Sequence, residues 1–288
     1  MAAFGFTTST NHCIISTRDT AASRIPIEIW EYILDVLKDD PHALLACELV
    51  CRGWRTRSRY LLDQVDYEPT FCERESVVRW ARFMQVIKKH RARVTRVDLA
   101  GEHSQEGQPG SLAHLGTFVA MLAGRLPHLR HLYIRDGAWP RGTIHASTVF
   151  FHLSTFPSVS KLWLNNITFP SVTIFGRLIC SFKRLSELRA HNISFVDTQL
   201  PPRGRPWLAP TKLTHIYMDR ASSDMLRALT ATTVAQKCHE LDVSASGEAI
   251  RSSALQELLW AARESLHTLS LDLFTSLETS DMRDLVGR

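Results

Sequence analysis

The sequence lacks the marks that usually announce chemistry. It has no G-x-S-x-G elbow, no Walker phosphate loop, no G-x-G-x-x-G and no H-E-x-x-H, so nothing in it points to a nucleophilic serine, a cradled phosphate, a dinucleotide or a catalytic zinc. Its 13 histidines are scattered, and His131, His191 and His215 are read as parts of a solvated polar face rather than as metal ligands or general bases. No window approaches about 18 uncharged apolar residues, so no membrane-spanning helix is expected. The chain opens without a basic stretch leading into an apolar core, so no secretory signal is expected, and residues 1–23 read as a flexible tail. None of the six cysteines forms a C-x-x-C pair, and Cys47 and Cys51, one helical turn apart, have no second pair to complete a zinc site. They read as reduced, structural thiols of an intracellular protein, cytoplasmic and/or nuclear, with no metal and no cofactor.

Acid is missing from one place in particular. From Ser76 to Val97 there are seven basic residues (Arg79, Arg82, Lys88, Lys89, Arg91, Arg93, Arg96) and no Asp or Glu. Setting those seven aside leaves 27 basic against 29 acidic residues, so this segment holds the whole net charge of +5. Val77, Val78, Trp80, Ala81, Phe83, Met84, Val86 and Ile87 fit a helix with one buried side. A helix with a basic wet face is the expected reading. A patch for phosphate or an acidic partner, whose affinity would fall with salt, is the less favoured one.

What is present is an ordinary globular composition, 44% hydrophobic and 22% charged, which excludes global disorder. At roughly 150 residues per domain, 288 residues make one large domain or two smaller ones. Residues 24–62 form a first module. Pro26 suits a first helical turn and Glu28 follows at the positive end of the helix dipole. Ile29, Ile33 and Leu37 recur every four residues as an apolar stripe. Asp40-Pro41 predicts a second helix, with Asp as N-cap and Pro as first helical residue, lined by Leu44, Leu45 and Leu49. Val50, Cys51, Trp54 and Leu61 suggest a third, with Arg52, Arg55, Arg57 and Arg59 on its wet faces. Helices this short cannot bury all that apolar surface among themselves, which implies a partner or docking on the rest of the chain.

In these residues the sequence resembles the F-box family. Ile25-Pro26, Glu28-Ile29, Ile33-Leu34 with Leu37, Asp40-Pro41 with Leu44-Leu45, and Val50-Cys51 with Trp54 match its pattern in order, with Ile for the commoner Leu at position 25. The resemblance implies a three-helix module that docks on the Skp adaptor of Skp–cullin–F-box (SCF) ubiquitin ligases. It carries over Ile25, Pro26, Ile29, Ile33, Leu37, Leu44, Leu45, Val50, Cys51 and Trp54 as the contact surface. The alternative for each is a place in the small core, Leu45 and Trp54 above all.

After a basic connecting segment at 63–93, residues 94–288 carry a repeat. An L-x-x-L-x-L pattern recurs at Val94-Val97-Leu99, Leu129-Leu132-Ile134, Val159-Leu162-Leu164, Leu185-Leu188-Ala190, Leu213-Ile216-Met218, Cys238-Leu241-Val243 and Leu266-Leu269-Leu271. The intervals of 35, 30, 26, 28, 25 and 28 residues fall in or near those of leucine-rich repeats. Each unit predicts a short strand followed by a return, helical over Leu112 to Leu126, Val172 to Phe182, Asp224 to Val234 and Ala254 to Ala262, and an irregular loop at Leu200 to Trp207. Ile167 and Ile193 occupy the place where the repeat usually has Asn or Cys, with Asn166 and Asn192 just before. This resembles the degenerate leucine-rich repeats that often follow an F-box. The expected fold is therefore α/β: a small helical module, then a solenoid of about seven units whose curved parallel sheet has helical or loop returns. Ser280 to Arg288 reads as the start of another return helix without a polar cap.

If repeat positions one, four and six point inward, positions three, five and seven face out. That places His131, Tyr133, Arg135, Lys161, Trp163, Arg189, Tyr217, Asp219, Glu240 and Asp242 on one open sheet face as candidate substrate-binding residues, with Tyr133 and Trp163 as anchors. The first four strands carry Arg96, Arg135, Lys161 and Arg189, and the last three carry Asp219, Glu240, Asp242 and Asp272 with no Lys or Arg. A protein partner with a matching charge gradient is the expectation. The alternative is a set of cross-strand pairs stabilising a wet sheet. Together these readings lead to a non-enzymatic substrate receptor of a cullin-based ubiquitin ligase. Its alternatives are a scaffold with no ubiquitin role and a nucleic-acid-associated protein using 76–97.

Overall fold

A computed structural model describes residues 25–64, 67–102, 110–139, 146–199, 213–231, 234–245, 249 and 251–273. The expected tail at 1–23, the loop at 200–207 and the helix start at 280–288 lie outside these residues. The chain divides into two compact units at Val65/Asp66.

The first unit is helical: α1 (Ile27–Val36), α2 (Pro41–Glu48) and α3 (Arg52–Leu62). Pro26 stands just before α1 rather than inside it. Pro41 opens α2, and the Asp40 carboxylate accepts the Ala43 N–H at 3.0 Å, an N-cap that satisfies one orphan donor. Leu34, Leu44, Cys47, Leu61 and Leu62 form the core, with Leu37, Leu45 and Trp54 packed partly against it. Arg57 clamps Asp35 with two hydrogen bonds of 2.8 and 2.6 Å, tying α3 to α1 and holding the Asp35 carboxyl below its usual range.

The second unit is an α/β array. Its strands are β1 (Thr70–Phe71), β2 (Arg96–Ala100), β3 (Gly110–Ser111), β4 (His131–Ala138), β5 (Lys161–Ser171), β6 (Glu187–Asp197), β7 (His215–Ala221), β8 (Glu240–Ala245) and β9 (Thr268–Leu273). They form one nine-stranded sheet in the order β1-β2-β4-β5-β6-β7-β8-β9, with β3 beside β4, and every pairing is parallel. The returns are α4 (Arg74–Val86), α5 (His114–Leu122), α6 (Ala146–Leu153), α7 (Val172–Ser181), α8 (Ser223–Ala231) and α9 (Ser253–Ala262). Each packs on the next, as parallel crossovers require.

Register follows the repeat. Val97, Leu132, Leu162, Leu188, Ile216, Leu241 and Leu269 lie in one row across the sheet. Leu99, Ile134, Leu164, Ala190, Met218, Val243 and Leu271 lie in another. From β2 to β8 these side chains are buried to 2% exposure or less, while Leu269 and Leu271 on β9 are 43% exposed. Each buried side chain of this size contributes roughly 1.5–3 kcal/mol, so neighbouring units stabilise one another through a continuous apolar layer.

Two features differ from the sequence reading. Of the segment 63–93, expected as a connector, the part from Asp66 onward belongs to the second unit: β1 pairs with β2 and α4 packs on α5. Its apolar side is buried through Val77, Ala81, Phe83 and Met84, and Arg79 and Arg82 are exposed. Secondly, Asp136, Asn166, Asn192 and Arg220 all adopt left-handed backbone, with φ of 55°, 53°, 49° and 50°. In these four units the turned residue sends the next one inward, which is why Ile167 and Ile193 are buried. The Asn192 amide donates to Asn166 at 3.0 Å and Asn166 donates to Asp136 at 3.3 Å, a side-chain ladder along the sheet. Asn and Asp tolerate this conformation because they bond locally. Gly101 serves a close approach: a Cβ there would lie 2.1 Å from the Asp136 carbonyl oxygen.

Candidate functional site

The first surface lies on the helical unit. Ile25, Ile29 and Ile33 are 38%, 50% and 38% exposed and Val50 is 61% exposed. Pro26 and Cys51 are exposed too. Ile27, Val36 and Leu49 join them as large apolar side chains open to water, and the sequence reading did not single them out as surface. The stripe at Ile25, Ile29 and Ile33 is a signal that extends by helical spacing to Val36. Leu44 takes the place given as its alternative: it is 0% exposed in the helical core. Leu37, Leu45 and Trp54 are half-buried against that core. Trp54 packs on Trp30 at 4.7 Å with its indole nitrogen buried and lacking a hydrogen-bond partner. A shallow cavity of about 270 Å³ lined by Ile25, Ile27, Trp30, Cys51 and Trp54 opens here.

The second surface is the outward face of the sheet. Three rows run across it. Arg96, His131, Lys161, Glu187, His215, Glu240 and Thr268 form the first. Asp98, Tyr133, Trp163, Arg189, Tyr217, Asp242 and Ser270 form the second. Ala100, Arg135, Asn165, His191 and Asp219 form the third, continued by Ser244 and Asp272. A groove of about 690 Å³ is lined by Tyr133, Arg135, Trp163, Arg189, Tyr217, Asp219 and Asp242 among the expected residues. His131, Lys161 and Glu240, in the first row, do not line it. Asp98, His191 and Asp272 line it as well, although their positions were not among the candidate residues.

Aromatic rings and guanidinium groups alternate along the groove. Arg96 lies over Tyr133 at 4.0 Å, and Tyr133 meets Trp163 edge-on at 4.2 Å. Arg189 lies over both Trp163, at 4.5 Å, and Tyr217, at 4.9 Å. These contacts fix the rings and keep the guanidiniums in the plane of the face. The Trp163 indole N–H is buried and has no hydrogen-bond partner.

Ion pairs distribute unevenly. Arg135 binds Asp98 at 2.9 Å, Lys161 binds Glu187 at 2.8 Å, Arg189 binds Glu187 at 2.6 Å, and Arg96 reaches Glu68 at 3.5 Å. Burial alone would raise the Glu187 carboxyl, but hydrogen bonds and charge from Lys161 and Arg189 outweigh it and hold it below its usual range. At the other end, Asp219 contacts His191 at 2.6 Å and Glu240 contacts His215 at 3.5 Å. Burial pushes Asp219 up, and hydrogen bonds from His191 and Ser244 hold it down on balance. Burial, then the Lys161 and Arg96 charges, lowers the His131 pKa. The expected charge gradient is therefore modified: each cation of β2 to β6 already has a carboxylate partner, Lys161 and Arg189 sharing Glu187.

Among the described residues, no group of three or more His, Cys, Asp or Glu side chains is placed to hold a metal ion, and no helix is long and apolar enough to cross a membrane. Burial raises the thiols of Cys180 and Cys238 to about 11, which makes them poor nucleophiles. No protein-family model matches the chain, and no curated protein matches it either.

Proposed function

We propose that the chain is a substrate-receptor subunit of an SCF-type ubiquitin ligase, an F-box module followed by a leucine-rich-repeat solenoid. The observation that carries this reading is the first unit's apolar surface. Ile25, Ile27, Ile29, Ile33, Val36, Leu49 and Val50 are all more than a third exposed on a helical unit whose core is complete without them. Surface of that kind fits a stable partner. The order of motifs over 24–62 resembles the module that docks on the Skp adaptor. The register of the L-x-x-L-x-L rows supports the solenoid, and the groove supports a protein-holding face. In this reading the chain makes and breaks no bond. It raises the effective concentration of a substrate lysine near a ubiquitin-charged enzyme supplied by the complex.

The test is co-purification with the Skp adaptor. Ile29→Glu and Val50→Glu alter exposed positions, so both should abolish capture with helix content unchanged. Capture that survives both variants would remove the reading. Ubiquitin chains on a bound protein separate a ligase receptor from a scaffold. A second reading, nucleic-acid association through the basic segment, is favoured only by the exposure of Arg79, Arg82, Lys88 and Lys89. It predicts salt-sensitive binding to a random oligonucleotide.

A further inference from the structure

We infer that the groove on the second unit's sheet accepts an extended, cationic segment of its protein partner, with Lys or Arg side chains seated at the β7–β9 end. The inference rests on the reading of this face as a protein-holding surface and adds the chemistry of what it holds.

The argument is one of charge left over. Every lysine and arginine in the three outward rows is engaged, Arg96 by Glu68 and Tyr133, Arg135 by Asp98, Lys161 by Glu187, Arg189 by Glu187 and two rings, and the exposed Arg220 of β7 lies outside those rows and does not line the groove. An acidic ligand would have to break these pairs to reach a cation. At the opposite end the acids have weaker company. Asp219 and Glu240 are matched only by histidines, and no described cation pairs with Asp242 or Asp272. Asp219, Asp242 and Asp272 all line the groove. Among the residues that line the groove, the carboxylates without a Lys or Arg partner therefore lie together at one end.

Geometry sets the reach. Neighbouring strands lie about 4.8 Å apart, so the six steps from β2 to β9 span about 29 Å, the length of about nine extended residues. The acidic end covers two of those steps, about 10 Å, which suits two cations two or three residues apart. Tyr217 on β7 and Trp163 on β5, on either side of Arg189 in the same row, offer half-buried rings for the neighbouring side chains. A cationic partner gains charge-assisted contacts where the face has acids to spare, while elsewhere each cation already holds a carboxylate, Lys161 and Arg189 sharing Glu187.

The experiment uses the full chain and fluorescence anisotropy with two labelled peptides. One alternates Lys or Arg with small residues around a central aromatic. The other has Glu in place of each cation. The cationic peptide should bind, weaken as salt rises, and exceed the acidic one by at least about tenfold. Asp242→Asn with Asp272→Asn should reduce its affinity about tenfold while the melting temperature stays unchanged. Equal binding of both peptides, preference for the acidic one, or an unaffected double variant overturns the inference and leaves the groove a protein-binding surface. Binding of neither peptide overturns the inference and the groove's role together. Tighter capture of an oligonucleotide than of the cationic peptide also overturns it. Loss of Skp-adaptor capture with cationic-peptide binding intact would remove the ligase reading and leave this inference standing.

Discussion

Glu187 is the carboxylate on which the paired half of the sheet face turns. Its side chain is 11% exposed and holds both Lys161 and Arg189, whose own side chains are 38% and 47% exposed. Glu187→Gln leaves two cations without their counter-ion. Because both cations can return to water, the loss should be about 1–2 kcal/mol rather than the larger cost of a fully buried pair. The folded-state pKa of Glu187 is depressed, so its contribution is present above the unfolded value of about 4.3 and disappears as pH falls through the folded one. The gap between wild type and Glu187→Gln in urea melts should be constant near neutrality and close in acid. A gap that persists at the lowest pH would mean that packing, not charge, is responsible. Trp163 poses a different question, because its ring is pinned by Tyr133 and Arg189 while its N–H is orphaned. Trp163→Phe keeps a ring and removes the orphan, so stability should hold or rise by about 1 kcal/mol. Trp163→Ala should cost about 2 kcal/mol, because the half-buried ring also serves as a cross-strand partner. Equal losses in both variants would show that the indole nitrogen finds a partner in solution.

At the scale of elements, one position in each of the units of β4 to β7 shows how local backbone chemistry shapes the array. Asp136, Asn166 and Asn192 fill the left-handed turn with side chains suited to it, and Arg220 fills the same kind of position without that advantage. A non-glycine residue there costs roughly 1–2 kcal/mol, less for Asn and Asp. Arg220→Asn should therefore raise stability by about 0.5–1 kcal/mol, and Arg220→Ala should change little, since alanine carries the same steric penalty. A destabilised Asn variant would mean that the arginine side chain contributes more than its backbone costs. The strands were legible in the sequence because their inward rows are apolar at fixed spacing, and the pairing from Arg96 to Thr268 follows the alignment of the repeats residue by residue. The helix over Ala146–Leu153 escaped notice. Its apolar residues Val149, Phe150 and Leu153 make less than two turns of pattern, too short to distinguish from the strand before the next unit. Whether Leu44 faced the core or a partner stayed open for a related reason: a short helix offers few positions, and periodicity alone does not say which side of it meets its own core. Nor does composition reveal pairing. The cations of the face are visible as letters, but the pairing of Arg135 with Asp98 joins residues 37 apart and that of Lys161 with Glu187 joins neighbouring units of the repeat.

For the whole molecule, the division into two compact units makes a claim about cooperativity. The second unit is knit by a continuous sheet and a shared apolar layer from β2 to β8. The first is a small helical body with a core of Leu34, Leu44, Cys47, Leu61 and Leu62 and a rim of exposed isoleucine, leucine and valine. Bodies of that size are marginal alone. Calorimetry of the full chain should resolve a weak, low-temperature transition and a larger, later one. If the apolar surface of the first unit docks on the Skp adaptor, saturating adaptor stabilises that unit alone, by about 2.7 kcal/mol at a hundredfold excess over Kd. The lower transition should then rise and merge toward the upper one, which stays where it was. Ile29→Glu should leave both transitions in place when the adaptor is added. A single transition from the outset would show that the units unfold as one, and an upper transition that shifts with the adaptor would place the docking surface on the sheet unit instead.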